Sequence, residues 1–329
     1  MNTYAFEQER PTIITTTGLT KKFGKLVAVN DLHLEVRQGD VFGFLGPNGS
    51  GKTTTIRMLL GLLRPSAGSA QIFGLDNRAH LQEILPRIGG IIEAPVYYSY
   101  LSGRENLQVF AMVSGMRDSA KTRRRIDEVL ELVDLTRQAK DACRKYSLGM
   151  KQRLAIGMAL LTDPELVLLD EPTNGLDPVG VHEIRQMILR LAAAGKTVIL
   201  SSHLLYEVQQ VCNHVAILQK GNMIKQGEVR DLLQNGARLL VRMNTAIEAQ
   251  AALSCLLTVR GMDWITQIDV HDTTLEISAP STKASEIVAL LASQHLYLAE
   301  LRPLQASLEE FFIQLVGEEN TAGMAALVG

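Results

Sequence analysis

The nonapeptide GPNGSGKTT at positions 46–54 constrains this chain more than any other segment. It follows the apolar run VFGFL (41–45) and opens a helical pattern, so it matches the phosphate-binding motif G-x-x-x-x-G-K-S/T between a strand and a helix. Its glycines let successive backbone N–H groups face phosphate oxygens, where a side chain would obstruct them. The alternative is a glycine-rich turn with a chance lysine, but the bare pattern should arise by accident in only about one such chain in a hundred. The segment therefore predicts a nucleotide-binding site.

Each part of this loop has an expected role. The helix that begins near Gly51 contributes its positive end to the anion site. Lys52 would neutralise the β- and γ-phosphates of a nucleotide, and the Thr53 hydroxyl would bind magnesium. The complete set of nucleotide-binding candidates in the loop is Gly46, Pro47, Asn48, Gly49, Ser50, Gly51, Lys52, Thr53 and Thr54.

Two acidic residues follow a second apolar run, in LVLLDE at 166–171. Asp170 ends this strand and could hold the water shell of magnesium, and Glu171 could polarise the water that attacks a triphosphate. Without the phosphate loop, we would interpret both residues as caps of the turn that follows. His203 ends the next apolar strand, so we expect it at the same carboxyl edge of the sheet, in contact with the γ-phosphate. A lone histidine is otherwise more often structural.

Bulk properties exclude several classes of protein. The chain has 329 residues with 46% apolar content, which favours two domains. Its 33 Lys and Arg residues nearly balance 35 Asp and Glu residues, which argues against nucleic acid as the main partner. Three cysteines far apart favour a reducing compartment. The polar N-terminus does not resemble a signal peptide, and no apolar run reaches the length of about 18 residues that spans a bilayer. Any membrane role would therefore need a separate partner.

Periodicity predicts the fold class. Helical patterns at 53–63, 104–116, 119–133, 150–161 and 180–193 are interspersed with short apolar strands at 41–45, 166–169 and 197–200. This alternation predicts an α/β domain with a mostly parallel sheet over residues 1–230, including a helical subdomain at about 94–160.

The pattern changes after about residue 230. Residues 231–329 then form a small α+β accessory domain whose order, β-α-β-β-α-β, is ferredoxin-like. Its predicted elements are strands at 238–243, 264–270, 273–278 and 296–302, helices at 246–257 and 281–293, and a last amphipathic helix at 307–317.

The stretch YSLGMKQRL at 146–154 places small residues at a helix start, which suits an anion. Together with the motifs above, it makes residues 12–230 resemble the ATP-binding subunit of an ABC transporter, in which this stretch is the family signature. The resemblance implies a P-loop ATPase fold and two nucleotide-binding domains that meet head to tail. It also implies that Ser147 and the backbone of Gly149 hold the γ-phosphate of ATP bound in the second copy.

The resemblance assigns further roles. In NGLD (174–177), Asp177 would help to link the two sites along the dimer seam, and Phe23 would stack on adenine, although such a residue is otherwise a core or surface aromatic. The expected ligands are ATP and Mg²⁺. The expected partners are a separately encoded transmembrane permease and a second copy, or another nucleotide-binding domain, at the cytoplasmic face of the membrane.

Two departures from the family pattern stand out. Glu93 takes the place of a usual glutamine, and its carboxylate could still reach magnesium or the lytic water, although it only accepts hydrogen bonds and adds a charge. Leu148 and Met150 replace a glycine and a glutamine of the signature, so a polar contact to the sugar is lost. These departures, with SLEEFF at 307–312, resemble a branch of bacterial drug and peptide-antibiotic export ATPases.

Residues 94–107, by resemblance, receive the permease. Tyr97, Tyr98 and Tyr100 could anchor that interface or could equally pack into their own subdomain. The charged run at 117–125 is expected to be a solvated helix face rather than a lipid site.

The sequence thus predicts an ATPase that powers export by dimer closure. Glu171 would be the general base, His203 would orient the γ-phosphate, and Lys52 would stabilise charge in the transition state. Two other classes stay open at this point. One is a soluble ABC ATPase that acts on a macromolecular complex, although the chain lacks a second nucleotide domain, a coiled-coil insertion and a basic surface. The other is an ATP-gated regulator in which Glu93 weakens turnover.

Overall fold

The computed structural model describes residues 10–93, 96–235, 238–258, 263–304 and 307–313. The chain folds into two compact units, Met1–Gly227 and Glu228–Gly329. Among the described residues, none of the helices has both the length and the apolar character needed to cross a bilayer.

The first unit contains two sheets and seven α-helices among its described residues. Its strands are β1 Thr12–Phe23, β2 Leu26–Leu32, β3 Glu35–Arg37, β4 Val41–Leu45, β5 Ala67–Ile72, β6 Leu75–Asp76, β7 Ile88–Ile91, β8 Leu166–Asp170, β9 Thr197–Ser202, β10 His214–Gln219 and β11 Asn222–Glu228. Its helices are α1 Lys52–Leu59, α2 Leu81–Ile84, α3 Gly103–Val113, α4 Ala120–Leu132, α5 Leu148–Leu160, α6 Pro178–Ala193 and α7 Leu205–Val211.

The larger sheet carries the candidate site. Its strand order is β11-β10-β4-β9-β8-β7, and β10, β4, β9, β8 and β7 pair in parallel. The three strands predicted from the apolar runs are β4, β8 and β9, and all residues of each are buried. Because these strands are covered on both faces, they show continuous apolar runs rather than alternation. Their carboxyl ends lie together, with Asp170 opposite Ser201 and Leu45 opposite Ser202.

A second sheet was not predicted from the sequence. It is antiparallel, in the order β2-β1-β5-β6, and β3 also pairs with β1. The reason is visible in β1, which is rich in threonine and lysine and changes register beside β2, β3 and β5. Each register shift interrupts the alternation of buried and exposed side chains on which a strand prediction depends.

The core of the first unit joins the two sheets through α1. Phe42 and Phe44 are fully buried and meet edge to face with ring centroids 5.5 Å apart. Ile56 and Leu59 of α1 belong to the same cluster. Burial of each such side chain stabilises the fold by about 1.5–3 kcal/mol. This packing fixes α1 against the sheet, so the loop that precedes α1 has a rigid support.

Helices α3, α4 and α5 form the helical part of this unit. Ser102 and Glu105 form a capping box at the start of α3, and the hydroxyls of Ser119 and Ser147 cap α4 and α5. These caps set helix starts within a few residues of the predicted ones. By contrast, α1 ends four residues before the predicted limit of 63, because the chain turns at Gly61 with φ of 70°.

The second unit begins with α8 Val229–Asn235, so the predicted boundary near residue 230 falls at the start of this helix. It continues with β12 Arg238–Arg242, α9 Ala246–Thr258, β13 Gln267–His271, β14 Thr274–Ser278, α10 Ala284–Ser293 and β15 Glu300–Leu304. The sheet order β13-β14-β12-β15, antiparallel throughout, confirms the ferredoxin-like arrangement. Residues 308–313 are helical, and the rest of the predicted last helix lies outside the described residues.

Candidate nucleotide-binding site

The loop between β4 and α1 has a backbone that requires glycine at two points. Gly46 has φ of 148° and Gly51 has φ of 109°, both outside the range that side chains favour. A Cβ atom on Gly46 would lie 2.2 Å from the Leu218 carbonyl oxygen, and one on Gly51 would lie 2.6 Å from the Ala28 carbonyl oxygen. The loop therefore keeps its shape only without these side chains. Between these glycines, Pro47, Asn48 and Gly49 are exposed and Ser50 is buried, and Thr54 of α1 is half-buried.

The loop has donors that fit a phosphate. Ser50 is 2% exposed, and its Oγ has no hydrogen-bond partner among the described residues. A buried hydroxyl without a partner is costly, and a phosphate oxygen would satisfy it. The Lys52 ammonium is 5% exposed and donates to the Gly46 carbonyl at 2.8 Å, so a cation lies within the loop. Helix α1 begins here and adds its positive end.

Oxygen ligands suited to magnesium meet beside this loop. The Thr53 hydroxyl donates to Asp170 Oδ1 at 3.1 Å, and the Ser201 hydroxyl donates to the same oxygen at 2.5 Å. Asp170 is buried at the end of β8. Hydroxyl and carboxylate oxygens are the ligands that Mg²⁺ uses when substrate phosphates complete its shell. The predicted pair Thr53 and Asp170 is thus brought together across 117 positions of sequence.

Glu171, the candidate base, lies between two nitrogen groups. Its Oε1 is 3.3 Å from the Lys52 Nζ, and its Oε2 is 2.8 Å from Nδ1 of His203. Its backbone has φ of 47°, and its N–H donates to Ser201 Oγ at 2.9 Å. A left-handed conformation in a glutamate persists only where surrounding contacts hold it. The predicted catalytic residues Lys52, Glu171 and His203 therefore share one cluster.

Ser201 was not singled out from the sequence, although it holds both acidic residues of this edge. Its hydroxyl donates to Asp170 and accepts from the Glu171 backbone. The sequence feature that could have identified Ser201 was its position, because it is a small polar residue at the end of an apolar strand. Only the parallel register of β8 and β9 shows which carboxylate it faces.

The signature stretch lies at the N-terminus of α5. Ser147 caps this helix, with its hydroxyl accepting from the Met150 N–H at 3.2 Å. Asp177 likewise caps α6, accepting from the Gly180 N–H at 2.8 Å. The two helix starts line one cavity of about 400 Å³, which also contacts Gly149. Two helix N-termini beside one cavity form a surface suited to an anion.

Leu148 and Tyr146 flank the signature serine. Leu148 is 51% exposed, and its Cδ2 lies 3.5 Å from where a Cβ on Gly175 would be. The Tyr146 hydroxyl donates to the Gln138 carbonyl at 2.7 Å. Burial, with the nearby Cys143 and Asp141, raises the pKa of Tyr146 to about 12, so this hydroxyl stays a neutral donor.

Glu93 does not join the Thr53 and Asp170 pair. It follows β7 with φ of 65°, and its carboxylate forms an ion pair with Arg57 of α1. Arg57 was not predicted as part of the site. The signal for it was its spacing, because residues four apart share one face of a helix and Arg57 follows Thr53 by four.

The predicted aromatic contacts lie at the surface. Phe23 ends β1 and is 49% exposed, with Lys21 Nζ 5.1 Å from its ring centroid. Tyr98 and Tyr100 are exposed and meet with ring centroids 6.0 Å apart, whereas Tyr97 is half-buried. Phe23 is thus a surface aromatic rather than part of the core.

Comparisons with known proteins agree on one family. The model of the family described as ABC transporter matches residues 29–174. The bacitracin transport ATP-binding protein BcrA of Bacillus licheniformis is 40% identical over 308 residues, which cover 93% of this chain and 98% of that protein. The daunorubicin resistance ATP-binding protein DrrA3 of Streptomyces coeruleorubidus is 33% identical over 321 residues, which cover 96% of this chain and 99% of that protein.

Solved structures match a smaller part of the chain. The structure of an ATP-binding subunit of an ABC transporter is 30% identical with a TM-score of 0.60, covering 67% of this chain and 92% of that one. An ATP-binding cassette in its ADP conformation is 25% identical with a TM-score of 0.62, covering 68% and 95%. The solved structures therefore match about two thirds of the chain, whereas the two relatives match nearly all of it.

Proposed function

The chain belongs to the family of ABC transporter ATP-binding proteins, ATPases that drive transport, and we propose that it powers the export of a drug, a peptide antibiotic or a similar compound. The relatives named for bacitracin transport and for daunorubicin resistance support this substrate class, because they align over more than nine tenths of the chain. Specificity for the compound would reside in a separately encoded permease.

The observation that carries the proposal is the cluster of Lys52, Glu171 and His203 at the phosphate loop. The Lys52 ammonium lies 3.3 Å from Glu171 Oε1 and also donates to the carbonyls of Gly46 and Pro47. Phosphate oxygens of ATP compete for that ammonium, since they accept charge-assisted hydrogen bonds. Glu171 Oε1 is then released to accept a proton from the attacking water. Lys52 stabilises the charge that develops on the phosphates.

His203 has a separate role. Its Nδ1 faces Glu171 at 2.8 Å, so the ring is held in one orientation with Nε2 on the opposite side. We assign Nε2 to the γ-phosphate, which fixes the reacting group in line with the water that Glu171 polarises. Thr53 and Asp170 would hold Mg²⁺, which neutralises charge on the β- and γ-phosphate oxygens when bound. Phe23, exposed at the end of β1, would stack on adenine.

The cavity at Ser147 and Asp177 supports pairing with a second copy. The Ser147 hydroxyl accepts from the Met150 N–H of its own helix, and Ser147 lines this cavity together with Asp177. We propose that this cavity covers the ATP bound at the phosphate loop of the partner subunit, with Ser147 and the Gly149 N–H on the γ-phosphate. Asp177 would then link the two sites across the seam. Closure of the pair would pull the permease into another conformation, and hydrolysis would reset it.

The exposed tyrosines support a permease contact. Tyr98 and Tyr100 are 46% and 70% exposed, and Val96 beside them is 80% exposed. Exposed aromatic side chains are the usual anchors of protein interfaces. We propose that this surface meets the permease at the cytoplasmic face of the membrane.

A mixing experiment tests the composite site. Lys52→Ala removes the phosphate cation, and Ser147→Arg blocks the cavity, so each variant alone should be inactive. Mixed in equal amounts, half of the pairs retain one intact site, and phosphate release should return to about a quarter of the wild-type rate. The control mixes Lys52→Ala with a chain that carries both substitutions, because no such pair has an intact site. The composite site is wrong if the first mixture stays inactive while wild-type turnover per molecule is independent of dilution.

A further inference from the structure

The ion pair between Arg57 and Glu93 is unexplained by the proposed function. Arg57 lies in the second turn of α1 with its side chain 39% exposed, and Glu93 lies in the loop after β7 with its side chain 64% exposed. The guanidinium Nη2 donates to Glu93 Oε1. Glu93 has φ of 65°, a left-handed conformation that is uncommon for glutamate. The carboxylate is therefore held at one end by a specific partner rather than projecting freely into solvent.

The fold places this pair next to the magnesium candidates. Strands β7 and β8 are parallel neighbours, with Ile91 opposite Leu169, so Glu93 and Glu171 each lie two residues beyond this pair. Neighbouring strands are about 4.8 Å apart. On α1, Arg57 follows Thr53 by one helical turn and shares its face. Glu93 therefore follows the strand beside the one that ends at Asp170, and its partner Arg57 lies on the same face of α1 as Thr53.

We propose that Arg57 is a positioning residue that holds the Glu93 carboxylate at α1, in competition with the divalent cation of the nucleotide site. The proposal rests on the proposed binding of ATP with magnesium at the phosphate loop. A carboxylate can pair with either cation, and Arg57 is the cation with which Glu93 pairs in this structure. A neutral side chain at position 93 would have no such preference for a guanidinium. The effect of Arg57 on the binding of the divalent cation therefore depends on the carboxylate at position 93.

The Arg57–Glu93 ion pair is weak enough for Glu93 to exchange Arg57 for a divalent cation. Both side chains are partly exposed, and exposed ion pairs shift an equilibrium by only about two- to fivefold. Arg57 can therefore release Glu93 when a divalent cation binds, while still raising the cation concentration that is needed. High salt should weaken the pair, because exposed charges are screened.

The experiment measures the magnesium requirement for binding rather than for turnover. The full chain is titrated with Mg²⁺ at a fixed concentration of the non-hydrolysable analogue adenylyl imidodiphosphate, and Tm is measured at each step. The midpoint is the Mg²⁺ concentration that gives half of the total rise in Tm. Arg57→Gln should lower the midpoint by about two- to fivefold relative to wild type. Arg57→Lys keeps the charge and should restore the wild-type midpoint. In a Glu93→Gln chain, adding Arg57→Gln should leave the midpoint unchanged, because the carboxylate that Arg57 positions is gone.

The control is Arg123→Gln, which breaks another exposed pair, with Asp118, in the helical part. Its midpoint should equal that of wild type. The inference is overturned if Arg57→Gln leaves the midpoint unchanged or raises it, or if it shifts the midpoint equally in the Glu93→Gln chain. In both cases the analogue still stabilises wild type, so the proposed function stands. If the analogue stabilises wild type at no magnesium concentration, the proposed function fails together with the inference.

Discussion

Nδ1 of His203 lies 2.8 Å from Oε2 of Glu171, across 32 positions of sequence. Because a carboxylate only accepts hydrogen bonds, Nδ1 carries the proton of this contact. The two residues follow the adjacent parallel strands β9 and β8, so the sheet sets their separation. A base that is held in one place by the sheet and oriented by a neighbouring ring needs little reorganisation during reaction.

Replacing Glu171 with glutamine should stop chemistry and retain binding. Glu171→Gln keeps the shape of the side chain but removes the proton acceptor, so we expect phosphate release to fall by about a hundredfold or more. The variant should bind ATP and elute as a dimer from size exclusion with ATP and magnesium. Glu165→Gln, in an exposed pair with Arg87, is the control and should hydrolyse normally. Continued hydrolysis by Glu171→Gln would show that another group is the base.

Replacing His203 should reduce turnover more than binding. His203→Ala removes the ring that orients the γ-phosphate, and we expect kcat to fall by about 10- to 100-fold with a smaller change in KM. The comparison is His33→Ala, because His33 also contacts a carboxylate, Asp31, at 3.1 Å but lies in the connection between β2 and β3, outside the predicted site. Equal effects of the two substitutions would refute a specific role for His203.

Adding a methyl group to the phosphate loop should weaken nucleotide binding. Gly46→Ala places a Cβ 2.2 Å from a carbonyl oxygen and 2.6 Å from Ser50 Oγ, so the loop must move. We expect ATP affinity to fall by at least about tenfold, measured by equilibrium dialysis. Gly74→Ala also has positive φ but meets nothing within 4 Å, so it separates backbone strain from the clash. Comparable loss in both variants would contradict the steric argument.

Asp40 should make the free energy of unfolding depend on pH. Burial alone would raise the pKa of this carboxyl, but the contact with His214, the Arg37 N–H and the Arg10 guanidinium together lower the pKa below its usual value of 3.8. A lowered pKa means that the contribution to stability is complete above pH 3.8 and is lost as pH falls through the folded value.

Urea unfolding of wild type and Asp40→Asn checks this linkage. At pH 7 the substitution should lower the free energy of unfolding by about 1.5–3 kcal/mol, since a charged acceptor is lost. The difference should shrink below pH 3.8 as the wild-type carboxyl becomes protonated. Asp118→Asn, in an exposed pair with Arg123, should have little effect at any pH. A difference that persists unchanged at low pH would exclude Asp40 as its source.

The comparisons confirm the family and the fold class inferred from motifs, and they give no support to a soluble ABC ATPase without transport. The second unit was also recognisable, because its order of strands and helices survives as alternating periodicity. The antiparallel sheet of the first unit was missed. Its long strand β1 has four register shifts along its length and carries threonines on its buried side, so the apolar pattern of its sequence does not show which residues are buried.

The sequence by itself determined the phosphate loop and the helix caps. Their contacts join residues close in the chain, as in Lys52 to the Gly46 carbonyl and Ser147 to the Met150 N–H, so local spacing fixes them. Only the tertiary structure decided which distant groups meet. The register of β8 with β9 places Ser201 on Asp170, and the packing of α1 against β8 brings Arg57 to Glu93, which follows the neighbouring strand β7. Such contacts depend on strand register and on helix packing, and neither leaves a periodic signal in the residues themselves.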